Sequence, residues 1–216
     1  MSGSTSLRIL VIGAGGHAKV VIEAIRAMGG EVVGLIDPAP SAAFVLGAAV
    51  LGGDKILPRL RTQGLDAVAV ALGENGLRER VGRGLEAQGF SLPTILHPAA
   101  LVSPSARLGK GAVVMARAVV GTQVTIDDLA IINTGAVVDH DCRIGTSAHV
   151  APGCTLAGNV WVGERTLVGV GCAVIPGIRI GDDVTVGAGS AVVSDVPARA
   201  RVGGMPARLL RQGHQI

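Results

Sequence analysis

Aromatic residues are almost missing from this chain: no Tyr, two Phe and one Trp in 216 residues. Aromatic rings usually supply much of a globular core, so this chain must bury itself in thin aliphatic layers. Charge is sparse as well. Asp, Glu, Lys and Arg make up 16% of the residues and balance to +3. No basic tract is interleaved with aromatics, which argues against a stacking surface for single-stranded nucleic acid. The stretch 146–163 carries no charged side chain, but Pro152 and three glycines break it, so a membrane-spanning helix is not expected. The opening residues lack a basic segment ahead of an apolar core and a cleavage site. Neither a nucleic-acid nor a membrane partner is expected, and the protein is expected in the cytoplasm. Cys142, Cys154 and Cys172 are the only cysteines and have no metal-site spacing. A cytoplasmic compartment keeps them reduced, as small core residues, and no metal is expected.

What is abundant is a beat of six. Stepping by six from Val102 to Val192 meets Val, Ile or Leu sixteen times in succession. Four places after each stands a small or β-branched residue, from Ala106 to Val196, and the three cysteines fall here. Gly follows the aliphatic residue in seven of the sixteen hexads. A helix needs a period of 3.6 and a simple strand a period of 2. Period six predicts a hexapeptide β-helix, three hexads to an eighteen-residue coil, about five coils in all. Residues eighteen apart then stack about 4.8 Å apart, Cys154 on Cys172 among them. The aliphatic residue is expected at a corner of the prism, worth roughly 1.5–3 kcal/mol when fully buried. Stability comes from coil stacking on coil. Such coils resemble the left-handed parallel β-helix, and the handedness rests on that resemblance.

Residues 1–97 read differently. Apolar strands are expected at 7–13, 31–37, 65–73 and 91–98, and helices from residue 21 and over 75–89. This alternation predicts a small α/β, Rossmann-like half-domain. The turn Gly13–x–Gly15–x–x–Ala18 allows close approach of a phosphate to a helix N-terminus. Taken alone, that signal is weak. Fewer than one hundred residues precede the prism, enough for one nucleotide rather than for NAD. Gly13–His17, Asp37 and Gly73–Asn75 are expected around one crevice at the strands' carboxyl ends. The prism is expected over 98–198 and a C-terminal tail over 199–216. Arginines 199, 201, 208 and 211 are candidates for a phosphate-bearing ligand or for a solvated tail.

GAGGHAKV, then HPAALVSPSA, VVDHDCRIG within the hexads and a closing VGGMPARLL together cover essentially the whole chain. They resemble the hexapeptide-repeat sugar acetyltransferases that N-acetylate the 4-amino group of nucleotide-linked 4-amino-4,6-dideoxy sugars, for example GDP-perosamine or a UDP-4-amino sugar. The related sialic acid O-acetyltransferases share the layout. The resemblance implies a homotrimer with acetyl-CoA as co-substrate between neighbouring prisms. It implies His140 as catalytic base with Asp141 tuning it. It places His149, Val170 and Ala188 at acetyl-CoA, and Gly15, Gly16, His17, Asp37 and Gly73 at the nucleotide sugar. Ala188 stands where the family often has glycine, which still permits a backbone contact. Asn133 matches a family position with no role assigned.

Read from the residues alone, His140 is the third residue of its hexad and solvent-facing, where a histidine is ordinarily just surface. Loss of an amine proton nevertheless needs an acceptor, and His suits that near neutral pH. Neighbours in a strand point to opposite faces, so Asp141 is expected to act indirectly. His140 and His149 are poorly placed to share one site within one chain. His97 reads as structural, His214 as uninformative, and Trp161 as a residue that packs at a seam. A zinc hydration enzyme on the same prism needs paired histidines that are not here. A non-catalytic scaffold and an O-acetyltransferase acting on sialic acid or a related sugar remain as alternatives.

Overall fold

A computed structural model describes residues 7–210. The chain divides after Pro98 into two compact units.

The first unit is built on β1 (Arg8–Ile12), α1 (Gly16–Ala27), β2 (Glu31–Ile36), β3 (Phe44–Val45), β4 (Ala48–Gly52), α2 (Leu57–Thr62), β5 (Ala67–Val70), α3 (Asn75–Ala87) and β6 (Ile95–Leu96). Five strands form a sheet in the order β3-β4-β2-β1-β5. β1 pairs in parallel with β2 on one side and β5 on the other. The four central strand residues Ile9–Ile12 are buried on both faces, as a covered parallel sheet requires. The chain steps outward from β1 to β2 and returns to β5 on the opposite side, so the strand order reverses at β1 and β5. The expected fourth strand over 91–98 does not form in this sheet: Ser91 makes a single bridge to Ala67, and β6 is not one of the five strands. The hairpin β3–β4 and helix α2 carry too little periodicity to be seen in the sequence. The hairpin turns on Leu46 and Gly47, both at positive φ.

The second unit is a parallel β-helix of two-residue strands which, away from its two ends, pair with strands eighteen residues before and after. Its first face holds 101–102, 119–120, 137–138, 155–156, 173–174 and 191–192. The second holds 107–108, 125–126, 143–144, 161–162 and 179–180. The third holds 113–114, 131–132, 149–150, 167–168 and 185–186. From Val114 onward the aliphatic residues of the beat are buried.

The corners differ from expectation. The aliphatic residue lies in the strand, and the bend falls on the third and fourth places of the hexad. The fourth place has positive φ in fourteen consecutive hexads, from Gly111 to Gly189, with Asp141 and Asn159 among them. Gly, Asn and Asp tolerate that left-handed conformation best. The glycine after the aliphatic residue has another cause. A Cβ at Gly145 would lie 2.8 Å from the Glu164 amide, and one at Gly163 2.5 Å from that of Asp182. The next coil's corner leaves no room there. At the fifth place, Cys154, Cys172 and Thr166 donate hydrogen bonds to the carbonyls of Gly169, Gly187 and Gly181. The three cysteines are free, buried thiols.

Two expectations fail at the far end. Val196 was read as a small-place residue, but it pairs with Ile180, sixteen residues back. The last coil is thus two residues short. The segment read as a tail from residue 199 begins with a strand, Arg201–Gly203, parallel to Thr185–Val186, and Arg208–Leu209 folds back on it. Arg211 and His214 lie outside the described residues.

Candidate active site

The loops after β1, β2 and β5 come together where the strand order reverses, the usual ligand position in an open parallel sheet. The loops after β1 and β5 touch: a Cβ on Gly13 (φ +101°) would meet Leu72 Cδ2 at 2.9 Å and Ala71 O at 3.1 Å. Gly13 is therefore structural. Gly15, Gly16 and Gly73 are not: among the described residues a Cβ on any of them would meet nothing within 4 Å. The fold does not demand glycine at these positions, and the space beside them is open. Gly15 caps α1, whose first turn holds no acidic residue and takes no side-chain cap. By contrast, Glu74 caps α3 by accepting from the amides of Gly76 and Leu77. The positive end of α1, without a side-chain cap, is the feature here suited to an anion.

Asp37 braces this turn. Its Oδ2 accepts from the Ala14 amide at 2.9 Å and its Oδ1 from that of Ala39 at 2.9 Å. His17, in the first turn of α1, is half-buried. Burial, and then the charge of Arg78, push its pKa down to about 4, so the ring is neutral at pH 7. Arg78 is the residue that sequence reasoning missed. It is 0% exposed and donates to Leu72 O at 2.9 Å, Gly73 O at 3.2 Å and Asn75 Oδ1 at 2.8 Å. It thereby fixes the loop that carries Gly73. The available signal was spacing, since Asn75, Arg78, Gly82 and Leu85 share the buried stripe of α3.

The second cluster lies on the β-helix. His140 and Asp141 form the bend between strands 137–138 and 143–144, not a strand on the wall. The left-handed Asp141 (φ +59°) turns its side chain beside its neighbour. Oδ2 of Asp141 lies 2.8 Å from His140 Nδ1. The expectation that Asp141 acts indirectly therefore fails: the two side chains bond directly. The bond raises the pKa of His140, and the charge of Asp139 adds to it. In the neutral ring Nδ1 donates to the carboxylate and Nε2 keeps its lone pair. Asp139 Oδ1 accepts the His140 amide at 2.7 Å and shapes the bend. The ring lies across Gly158 of the next coil, where an added Cβ would collide with Cε1 and Nε2.

His149 lies on the third face, past the strand 143–144 from His140. Asn133 Nδ2 donates to its Nε2 at 3.0 Å, while Asn133 Oδ1 accepts the Thr134 amide at 2.8 Å. Asn133 thus sets the imidazole tautomer of His149. Val170 and Ala188 occupy equivalent bends of successive coils, and the Gly189 amide bonds Val170 O at 2.8 Å. Their own amides donate to no backbone carbonyl among the described residues. No group of three or more His, Cys, Asp or Glu among the described residues is placed to hold a metal. No helix among them is long and apolar enough to cross a membrane.

A family model described as the PglD N-terminal domain matches residues 8–85. The perosamine N-acetyltransferase of Caulobacter crescentus, solved with CoA and GDP-perosamine, superposes with a TM-score of 0.91 at 51% identity, covering 94% of this chain and 97% of that one. The chain belongs to the sugar N-acetyltransferase family. The acetyltransferase domain of PglB from Neisseria gonorrhoeae, solved with acetyl coenzyme A, is a further member, at 40% identity and a TM-score of 0.91 over 95% of this chain and all of that one. The UDP-N-acetylbacillosamine N-acetyltransferase of Bacillus subtilis is 37% identical over 110 residues, which span about half of each protein (50% and 51%). Within this family the α/β unit followed by a β-helix is the shared architecture, and the chain is an acetyltransferase by descent.

Proposed function

We propose that this protein transfers the acetyl group of acetyl-CoA to the 4-amino group of a nucleotide-linked 4-amino-4,6-dideoxy sugar, with GDP-perosamine the first choice. The observation that carries the reading is the His140–Asp141 bend, which leaves a lone pair on Nε2 at an exposed corner, in a chain so similar to an enzyme solved with CoA and GDP-perosamine. The neutral amine attacks the thioester carbonyl, a C–N bond forms and the C–S bond breaks. The proton lost from nitrogen goes to His140 Nε2, and from there to the departing thiolate. Asp141 steadies the imidazolium while it exists. His149, Val170 and Ala188 hold acetyl-CoA. Gly15, Gly16, His17, Asp37 and Gly73 hold the nucleotide sugar in the first unit. Both substrates and three free thiols suit the cytoplasm.

Incubation with acetyl-CoA and GDP-perosamine should give a sugar whose acetyl group sits on the C4 nitrogen by NMR. An O-acetyl ester, or no acetylated sugar, would overturn this reading; the first result would favour the O-acetyltransferase alternative.

One strand and its face separate His140 from His149, so a complete site needs a seam between copies. A homotrimer is expected. Exposed Ile175 and Val193 and half-buried Ala157 suit such a seam, whereas Met115 and Ala151 are buried within the single chain. Light scattering should give three times the 21.6 kDa chain mass. A monomer at micromolar concentration would defeat the shared site.

Gly158 supplies a sharper check. The three atoms nearest a Cβ at that place all belong to the His140 ring, so Gly158→Ala should displace the base and lower kcat by about 10–10²-fold. The same change in a His140→Asn background should do almost nothing further. A wild-type kcat for Gly158→Ala would show that the ring does not act from this position.

A further inference from the structure

Arg78 is fully buried in α3, where a charged group is costly unless its donors are met. Burial pulls its pKa down to about 10, against the charge of Glu74, so the guanidinium is charged at pH 7. An apolar side chain would fill this place in the stripe of Asn75, Gly82 and Leu85 without that cost. What the arginine adds is direction. Its Nη1 donates to two successive carbonyls, Leu72 O at 2.9 Å and Gly73 O at 3.2 Å. Its Nη2 donates to Asn75 Oδ1 at 2.8 Å and ties this grip to the start of α3.

In a planar trans peptide the carbonyl and the N–H of one unit point in opposite directions. Holding Leu72 O and Gly73 O therefore turns the N–H groups of Gly73 and Glu74 away from Arg78. Neither amide donates to a backbone carbonyl among the described residues. The space beside Gly73 is open: a Cβ there would meet nothing within 4 Å. The carboxylate of the same loop is engaged elsewhere, because Glu74 accepts the amides of Gly76 and Leu77. The loop after β1 lies against this one at Leu72 and leads into the positive end of α1. Two outward amides beside a helix N-terminus suit the oxygens of a diphosphate.

We propose that Arg78 is a positioning residue for the nucleotide sugar: its guanidinium, without touching the ligand, presents the Gly73 and Glu74 amides to the diphosphate. The inference rests on seating the nucleotide sugar in the first unit, as the acetyl-transfer reading does. It adds a residue that acts on that substrate only through the loop it holds.

Calorimetric titration of the whole protein with GDP, with UDP and with CoA tests it. The nucleoside diphosphate that wild type binds is then titrated into Arg78→Met and Arg78→Lys. Arg78→Met keeps the bulk and loses every donor, so affinity should fall about 10²-fold, the order expected for two charge-assisted bonds to phosphate. In Arg78→Lys one ammonium can still meet a loop carbonyl, and the loss should be about tenfold. CoA affinity should stay at the wild-type value in both. With nucleotide sugar as substrate, KM should rise and kcat at saturation should hold, as for a group that meets no reacting atom. Leu85→Val, in the same buried stripe, loosens the unit without touching the loop and should keep nucleotide affinity. Should an Arg78 variant fail to fold, hydrogen exchange in wild type decides: the nucleotide should slow exchange at the Gly73 and Glu74 amides, and unchanged exchange overturns the proposal. Wild-type affinity in Arg78→Met, or an equal loss in Leu85→Val, overturns it and leaves the nucleotide sugar in the first unit. Failure of both nucleoside diphosphates to bind wild type overturns the proposal and that seating together.

Discussion

Replacing His140 by asparagine should lower kcat by about 10²–10⁴-fold, the usual worth of a general base, while acetyl-CoA affinity stays near wild type. The ring is exposed at a bend, 58% for its side chain, and its Nδ1 is bonded to the Asp141 carboxylate. The substitution therefore removes a base without opening a core. The pH profile gives an independent check. His140 accepts a proton only when neutral, so kcat should fall as pH drops through its pKa. That pKa lies above the ordinary value because of Asp141 first and Asp139 second. In Asp141→Asn the larger cause is gone, and the acid limb should move to lower pH. The variant should also be slower, since the imidazolium has lost its carboxylate. A loss of less than about threefold in His140→Asn across the neutral range would reduce His140 to a residue that positions the amine.

The second large effect belongs to the other unit. Gly16→Val should raise the Michaelis constant for the nucleotide sugar by about 10²-fold, the loss expected for one or two charge-assisted bonds to phosphate. A side chain there would be expected to strain a tight turn, but the structure removes that concern. Gly16 has no positive φ, and a Cβ meets nothing within 4 Å among the described residues. The variant should fold normally, and the β-helix, held coil on coil, should keep its mass and its acetyl-CoA affinity. Titration calorimetry of each ligand into wild type and variant reads both quantities. Normal binding of the nucleotide sugar by Gly16→Val would make the turn only a structural corner.

These two sites were legible in the sequence to different depths. The beat of six gave the coil because no other backbone places sixteen aliphatic residues at that spacing on one interior. It did not say where the chain bends, since a period fixes phase only relative to itself. The sign was nevertheless present: glycine stands at place four in Gly135, Gly153, Gly171 and Gly189, with Asp141 and Asn159 between them. Recognising that place as the left-handed one would have put His140 and Asp141 at a corner, within reach of each other. Gly158 was hidden for another reason. Its neighbour is a ring eighteen residues earlier, and a glycine that makes room for a side chain looks in sequence like one that makes room for a turn. Arg78 was masked by the ordinary expectation that arginine is solvated. The two-residue deficit in the last coil escaped because Val196 satisfies the beat in either register.

The central claim is that His140 takes the proton of a nucleotide-bound amine acetylated by acetyl-CoA. The most direct measurement is the rate of thiol release from acetyl-CoA with GDP-perosamine, nucleotide-free perosamine or sialic acid as acceptor, for wild type and His140→Asn. The account expects fast release with GDP-perosamine alone, abolished or nearly so in the variant. Equal release with the nucleotide-free sugar, preference for sialic acid, or an undiminished rate in His140→Asn would contradict it.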